Sequence, residues 1–468
     1  MKRRNFLRNS SILTLGATLL TPFTSWNKEQ DKSTPPKGKY RNVIFMVSDG
    51  MSSGTLTMAN LLHRKLHRRD CTWIDAYKRG IAHKALMDTS SASSMVTDSS
   101  AGSSAWGGGR KVNNGSLNYN ESDKTFNTPI LKKMKDAGKS IGCVTTVPVT
   151  HATPAGFCVA TPSRDDQSLI AELYLELEPD VMLGGGSKYF DASKRKDKKD
   201  MYKAFEKMHY FVAKTKKQLQ QFSSQGNRKL LGTFDEDALP YSLDHQHDDL
   251  LKERIPTLAE MTAAALETLS KNPNGFMLQV EGGKVDWAAH ANDIGALLYD
   301  QLAFDAAISV VKEFVKSHPD TLVIITTDHG NANPGLFYGK EADGNFEKIL
   351  QFRHTTDWVL NGITRQFSPA DVISRFREAF GFEITTEEAS HILGYYEHLS
   401  ETGVYNYRKL PYKYSGEVLA KYTSCKFADM DHSGDHVELT VIGQDLPRFP
   451  SFIQNDEVHH QILKLTGL

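Results

Sequence analysis

Acidic and imidazole side chains recur in one kind of place along this chain, immediately after short apolar runs. Asn42-Val-Ile-Phe-Met-Val-Ser48 ends in Asp49-Gly50; Gly142 to Val149 is followed by His151 and Thr153; Phe276 to Val280 by Glu281; and Leu322 to Thr326 by Asp328-His329. A helix starting near Asp286 puts Asp286 and His290, spaced i and i+4, on one face, a good zinc-pair geometry. Carboxylate with imidazole suits zinc, whereas carboxylate with a threonine hydroxyl suits magnesium. Any one of these residues alone reads as a cap or a core polar group. Repeated at strand end after strand end, they read as a metal-dependent site.

The nucleophile for such a site lies in the stretch Met95 to Leu117. There Asp98-Ser99 precedes a run of small residues, Ser100 to Ala105. That pattern is what a sharp turn into a tightly packed helix needs. Small side chains leave room for an anion at the helix start, where free N–H groups and the dipole favour negative charge. Serine is a weak nucleophile and needs a base or a metal to activate it. Thr97 and Ala101 stand where a Gly-x-Ser-x-Gly elbow would have its glycines, so a serine esterase is a poor fit. Without ligands elsewhere the stretch would read as a Ser/Gly-rich surface loop.

The elements that must position these groups alternate. Near-continuous apolar runs are strands buried on both faces of a sheet. Between them lie helix-like segments at Pro129 to Ala137, Leu258 to Ser270 and Ala296 to Ser317. The expected fold is α/β, a doubly wound and mostly parallel central sheet flanked by helices, with its ligands at the carboxyl ends of the strands. Two stretches break the alternation, about 187–250, which holds the charge run Lys194 to Lys199, and about 337–428, rich in Tyr, Phe and Glu. Both are expected to be insertions into one catalytic domain spanning 38–468. Asp244-His-Gln-His-Asp-Asp249 reads better as a solvated loop than as another metal site.

With 56 basic and 56 acidic residues in 468, there is no basic field to suggest nucleic acid as a partner. Met-Lys-Arg-Arg-Asn-Phe-Leu-Arg, then an apolar run from about Ile12 to Phe23 too short to span a bilayer, resembles a twin-arginine export signal within residues 1–30. Residues 24–38 read as a linker. Removal of the leader would leave a mildly acidic chain, periplasmic or secreted. No cysteine lies near the apolar run, so no membrane anchor is expected after export. Cys71, Cys143, Cys158 and Cys425 show no Cys-x-x-Cys spacing, which argues against a zinc-thiolate site and leaves disulfide pairing open.

Several blocks in order resemble the alkaline phosphatases: Ser-Asp-Gly-Met (48–51), Val96 to Gly115, His151-Ala-Thr-Pro-Ala155 with Ser163-Arg164, Pro256 to Asp293, Thr327-Asp-His329 and His432-Ser-Gly-Asp435. The resemblance implies hydrolysis of phosphate monoesters through a phosphoserine on Ser99. It implies one zinc at Asp286, His290 and His432, and a second at Asp49, Asp328, His329 and the Ser99 oxygen. A third site at Asp49, Thr153 and Glu281 would hold magnesium. Arg164 would clamp phosphate, its fork matching two phosphoryl oxygens, with Asp98 orienting it. His432 is preferred to His354 and His436 because Ser433-Gly434 and Val437 to Ile442 follow it as in the family.

Departures from the family pattern are informative. His151 stands where many bacterial members have aspartate, so zinc could replace magnesium at the third site. Trp287 replaces a lysine that holds phosphate through water in some members, which implies faster phosphate release. Gly330-Asn-Ala332 after Asp328-His329 looks more like cofactor-independent phosphoglycerate mutases, keeping a phosphodiesterase or phosphomutase as an alternative and a non-catalytic phosphate or metal binder as a remote one. Relatives include dimers and monomers, so a homodimer is left open.

Overall fold

A computed structural model describes residues 39–222, 229–398, 409–445 and 449–468. The expected export signal and the linker up to residue 38 lie outside the described residues. Ten strands form one mixed sheet. In chain order they are β1 (Asn42–Val47), β2 (His83–Asp88), β3 (Ser140–Pro148), β4 (Val181–Gly185), β5 (Tyr210–Ala213), β6 (Lys229–Thr233), β7 (Phe276–Glu281), β8 (Thr321–Thr326), β9 (Val437–Ile442) and β10 (Phe452–Gln454). They lie side by side as β10-β2-β9-β8-β1-β7-β3-β4-β6-β5. Only β9 runs against its two neighbours, β8 and β2.

The apolar runs are central strands because both faces are covered. Ile44 and Met46 of β1 join one core with Leu278 and Val323. Val43, Phe45 and Val47 join the other with Met277 and Ile324. Register then aligns the strand ends: Val47 sits level with Thr326 and Glu281, and Glu281 with Thr145. The residues that follow must therefore emerge along one edge, as expected for a parallel arrangement.

Four helices matter to that edge: α1 (Ser99–Gly108), α2 (Ala152–Cys158), α3 (Lys284–His290) and α4 (Ile294–Ser317). The small residues of α1 give the tightly packed helix expected of them, and the structure supplies its partner. Beyond the first turn they let α1 lie against α2. A Cβ on Gly107 would come 1.9 Å from the Gly156 carbonyl oxygen, and one on Gly156 would come 2.2 Å from Ser103 Oγ. The close packing locks Ser99 to the helix that carries Thr153.

Residues 187–250, expected as an insertion, supply β5 and β6 to the sheet edge. They were missed because both are short and flanked by charge. Likewise Ser242–His247 is a helix with His245 buried, its Nε2 2.9 Å from the Ile255 carbonyl, so the expected solvated loop is folded. Within 337–428, described except for residues 399–408, the chain is helical, including Pro369–Phe380, Thr386–Gly394 and Tyr412–Thr423. All four cysteines are free and buried.

Candidate active site

Asp98 is the N-cap of α1, its Oδ1 accepting from the Ala101 N–H at 2.9 Å, and this places Ser99 on the first turn. The same carboxylate accepts from Arg164 Nη1 at 3.0 Å, from the Gly115 N–H at 3.0 Å and from Ser100 Oγ at 2.7 Å. Burial works to raise the Asp98 carboxyl, but the Arg164 guanidinium and the hydrogen bonds from Ala101 and Ser100 together outweigh it and hold the group below its ordinary range. A permanently ionised Asp98 is a fixed support for the fork of Arg164. Arg164 also donates from Nη2 to His151 Nε2 at 3.1 Å. Ser99 Oγ lies 3.3 Å from His329 Nε2.

Three groups of side chains bring candidate ligand atoms within 4.8 Å of one another: Asp286, His290 and His432; Asp49, Asp328 and His329; and Asp49, His151 and Glu281. The imidazoles are held from behind. His290 Nδ1 lies 2.5 Å from the Met430 carbonyl, His432 Nδ1 2.9 Å from the Thr97 carbonyl and His329 Nδ1 3.3 Å from the Gly330 carbonyl. A carbonyl can only accept, so each Nδ1 carries a proton and each Nε2 is the nitrogen turned inward, free to bind a cation when the ring is neutral. The Nε2 atoms of His290 and His432 face each other at 3.1 Å. Two lone pairs that close repel unless a cation or a proton sits between them.

The carboxylates have the same character. Asp49 Oδ1, Asp328 Oδ2 and Glu281 Oε1 are buried without a hydrogen-bond donor among the described residues. Burial, reinforced by Asp328, Asp286 and Glu281, pushes the Asp49 carboxyl well above its usual range. Burial likewise pushes Glu281 up to about 7. Around Asp286 burial also works upward, but His290, His432 and His329 prevail and hold it well below the usual range. Burial works to lower His290, yet Asp286 raises it to about 9. His432, desolvated and beside His329, is lowered to about 4. Orphaned oxygens and inward lone pairs around Asp49 are what divalent cations satisfy, so the donor set fits bound metal.

The sequence-derived residues converge with few exceptions. Thr153 joins the third group through its Oγ1, which donates to Asp49 Oδ2 at 3.2 Å. His151, expected beyond the ligands, brings a ring nitrogen within 4.8 Å of carboxylate oxygens of Asp49 and Glu281. While its Nε2 accepts from Arg164 a neutral ring keeps its proton on Nδ1, so holding Arg164 and offering Nδ1 to a metal are alternatives. Trp287 packs edge-on to His151, ring centres 6.2 Å apart. His354 bonds Asp244 at 3.2 Å and His436 lies 3.9 Å from Asp88, so neither joins a group and His432 does. Sequence reasoning missed Thr145, whose Oγ1 donates to Glu281 Oε2 at 2.5 Å, and Asn331, whose Nδ2 donates to Asp286 Oδ1 at 2.7 Å. Asn331 sits in the loop that departs from the family pattern, and that was the available signal.

A doubly wound sheet that gathers a serine, a braced arginine and divalent-cation donors at one edge defines the class, an α/β phosphohydrolase. Within that class, the family model described as alkaline phosphatase matches residues 40–468, and the chain belongs to the alkaline phosphatase family. It is 27% identical to alkaline phosphatase 4 of Bacillus subtilis (strain 168), over 96% of this chain and 93% of the relative. Its fold is similar to the crystal structure of Thermus thermophilus alkaline phosphatase, with TM-score 0.85 and 31% identity over 96% of each chain. It also resembles the cold-active enzyme of Shewanella sp., with TM-score 0.76 and 25% identity over 91% of this chain and 99% of that one. The protein is a phosphomonoesterase of a metal-dependent family.

Proposed function

We propose that hydrolysis proceeds through a phosphoserine on Ser99, formed and broken at a three-metal site. The observation that supports this best is the approach of Ser99 Oγ to His329 Nε2 at 3.3 Å, in the group that also holds Asp49 and Asp328. When bound, zinc at Asp286, His290 and His432, zinc at Asp49, Asp328 and His329, and magnesium or zinc at Asp49, Thr153 and Glu281 supply Lewis acidity and balancing positive charge. Ser99 Oγ gives up its proton and forms the bond to phosphorus as the ester oxygen departs in line on the far side and, taking a proton, leaves as the alcohol. Arg164 grips two non-bridging oxygens, and Asp98 keeps the guanidinium from swinging away. Water then displaces Ser99, releasing phosphate and restoring the hydroxyl. His151 next to the third position favours zinc there over magnesium.

The test is metal content of purified protein together with p-nitrophenyl phosphate turnover by the parent and Ser99→Ala. Removing the nucleophile is expected to lower kcat by on the order of 10³-fold or more. A radiolabelled phosphoryl group trapped in acid should sit on Ser99 in the parent only. Ser99→Ala turning over within about tenfold of the parent would remove the phosphoserine route.

The leader read at residues 1–30 supports export of the folded enzyme to the periplasm or the medium. Changing Arg3 and Arg4 together to lysine should retain it inside the cell, measured by fractionation; unchanged export would discard that reading.

A further inference from the structure

We propose that Asn331 is a positioning residue for Asp286, fixing which carboxylate oxygen faces His290 and so how firmly Asp286, His290 and His432 hold a cation. The inference rests on the metal reading given above.

Asn331 is fully buried and lies opposite His432 in the two-residue ladder Gly330–Asn331 with His432–Ser433. It thus stands between two members of one ligand group. Its Nδ2 donates to Asp286 Oδ1 at 2.7 Å and to the Asp286 carbonyl at 3.2 Å. Both acceptors are oxygens, so the amide cannot be turned over without setting oxygen against oxygen. Gly50, at φ +63°, lies so near the same carboxylate that a Cβ there would come 2.3 Å from Asp286 Oδ1. So held, Asp286 keeps Oδ2 turned to His290 Nε2 at 3.4 Å.

The main chain of Asn331 is tied separately from its side chain. Ser52 Oγ accepts from the Asn331 N–H at 3.0 Å and donates to its carbonyl at 3.1 Å. Ala332 and Asn333 follow at φ +54° and +40°, and the Ala332 N–H donates to the Asp431 carbonyl at 3.0 Å, beside His432. Meanwhile Asn331 Oδ1 is buried without a donor among the described residues. An unmet buried acceptor is unfavourable, and a residue present only to fill space would not bring one. Donors to a ligating carboxylate orient it and strengthen its hold on metal.

The test reads zinc retention. Zinc-loaded parent, Asn331→Ala, Asn331→Asp and Ser52→Ala are challenged with a chromophoric chelator and release is followed in time, with melting of the chelated proteins alongside. Asn331→Ala should release zinc about 10–100-fold faster. Asn331→Asp, equal in size but presenting oxygen to Asp286, should release it at least as fast, and it carries the test if the alanine variant does not fold. Ser52→Ala, touching Asn331 only through its backbone, should stay within about threefold of the parent. Release from both Asn331 variants within about twofold of the parent overturns the proposal, as does equal acceleration in Ser52→Ala, which would mean loop packing. A parent that takes up no zinc would instead overturn the metal reading, and this proposal with it.

Discussion

Two buried acidic regions flank α3, and they differ in how their oxygens are met. On one side Asp49, Glu281 and Asp328 each keep an oxygen without a donor among the described residues. On the other, Asp293 accepts from the backbone N–H groups of Ala296, Thr356 and Asp357, and Asp300 from Ser242 N–H and Oγ. Asp357 there accepts from Tyr412 and Asn361. Burial pushes Glu281 up to about 7, and equally Asp293 and Asp300. A raised carboxyl therefore does not distinguish site from scaffold. What distinguishes them is hydrogen bonding: the scaffold carboxylates cap backbone turns, while those of the site wait for cations.

The sharpest way to break this comparison is to neutralise one carboxylate on each side. Asp49→Asn removes a group shared by two ligand clusters and should lower kcat/KM by on the order of 10³-fold, with metal lost on gel filtration. Asp300→Asn, whose amide can donate to Ser242 Oγ and accept from Ser242 N–H, should leave turnover within about twofold. Equal damage from both would erase the distinction.

Trp287 sits on the boundary, on the helix that turns Asp286 to the site while Lys284 holds its Nζ over the Tyr241 ring, 3.4 Å from the centroid. Trp287→Lys places a cation beside the phosphate position, so inhibition by phosphate should tighten by about tenfold. No tightening in steady-state inhibition would mean that Trp287 only packs.

The smallest effect concerns stability and pH. Burial raises Asp300, with Lys284 opposing, to about 7 from 3.8, so between those values the folded state binds the extra proton. Its contribution is full below about pH 4 and fades as pH rises through about 7. The parent should therefore lose stability between about pH 4 and 7, and Asp300→Asn should lose less, a difference of about 2 °C in Tm. Parallel melting curves for the two proteins would contradict this assignment.

Much of the site was legible because its parts are local. An apolar run buried on both faces has few places to go except the middle of a sheet, and the next residue must emerge at its edge. Asp49, Glu281, Asp328 and His329 follow from that rule, and His290 follows from Asp286 by helical spacing. The strands β5 and β6 at that end of the sheet did not, because short segments among charged residues carry no period of their own. The small residues of α1 marked a tightly packed helix, but not that α2 would be its partner.

Taken by itself, the sequence determined which kinds of group would line the carboxyl edge, and with them the class of chemistry. Tertiary structure alone decided their pairing: His432 rather than His354, His151 shared between Arg164 and the third group, the Asn331 amide 2.7 Å from a carboxylate 45 positions away. Residue type and spacing are properties of a short segment. Pairing depends on how strands align and on how two cores press helices onto the sheet, and it exists only once the whole chain has packed.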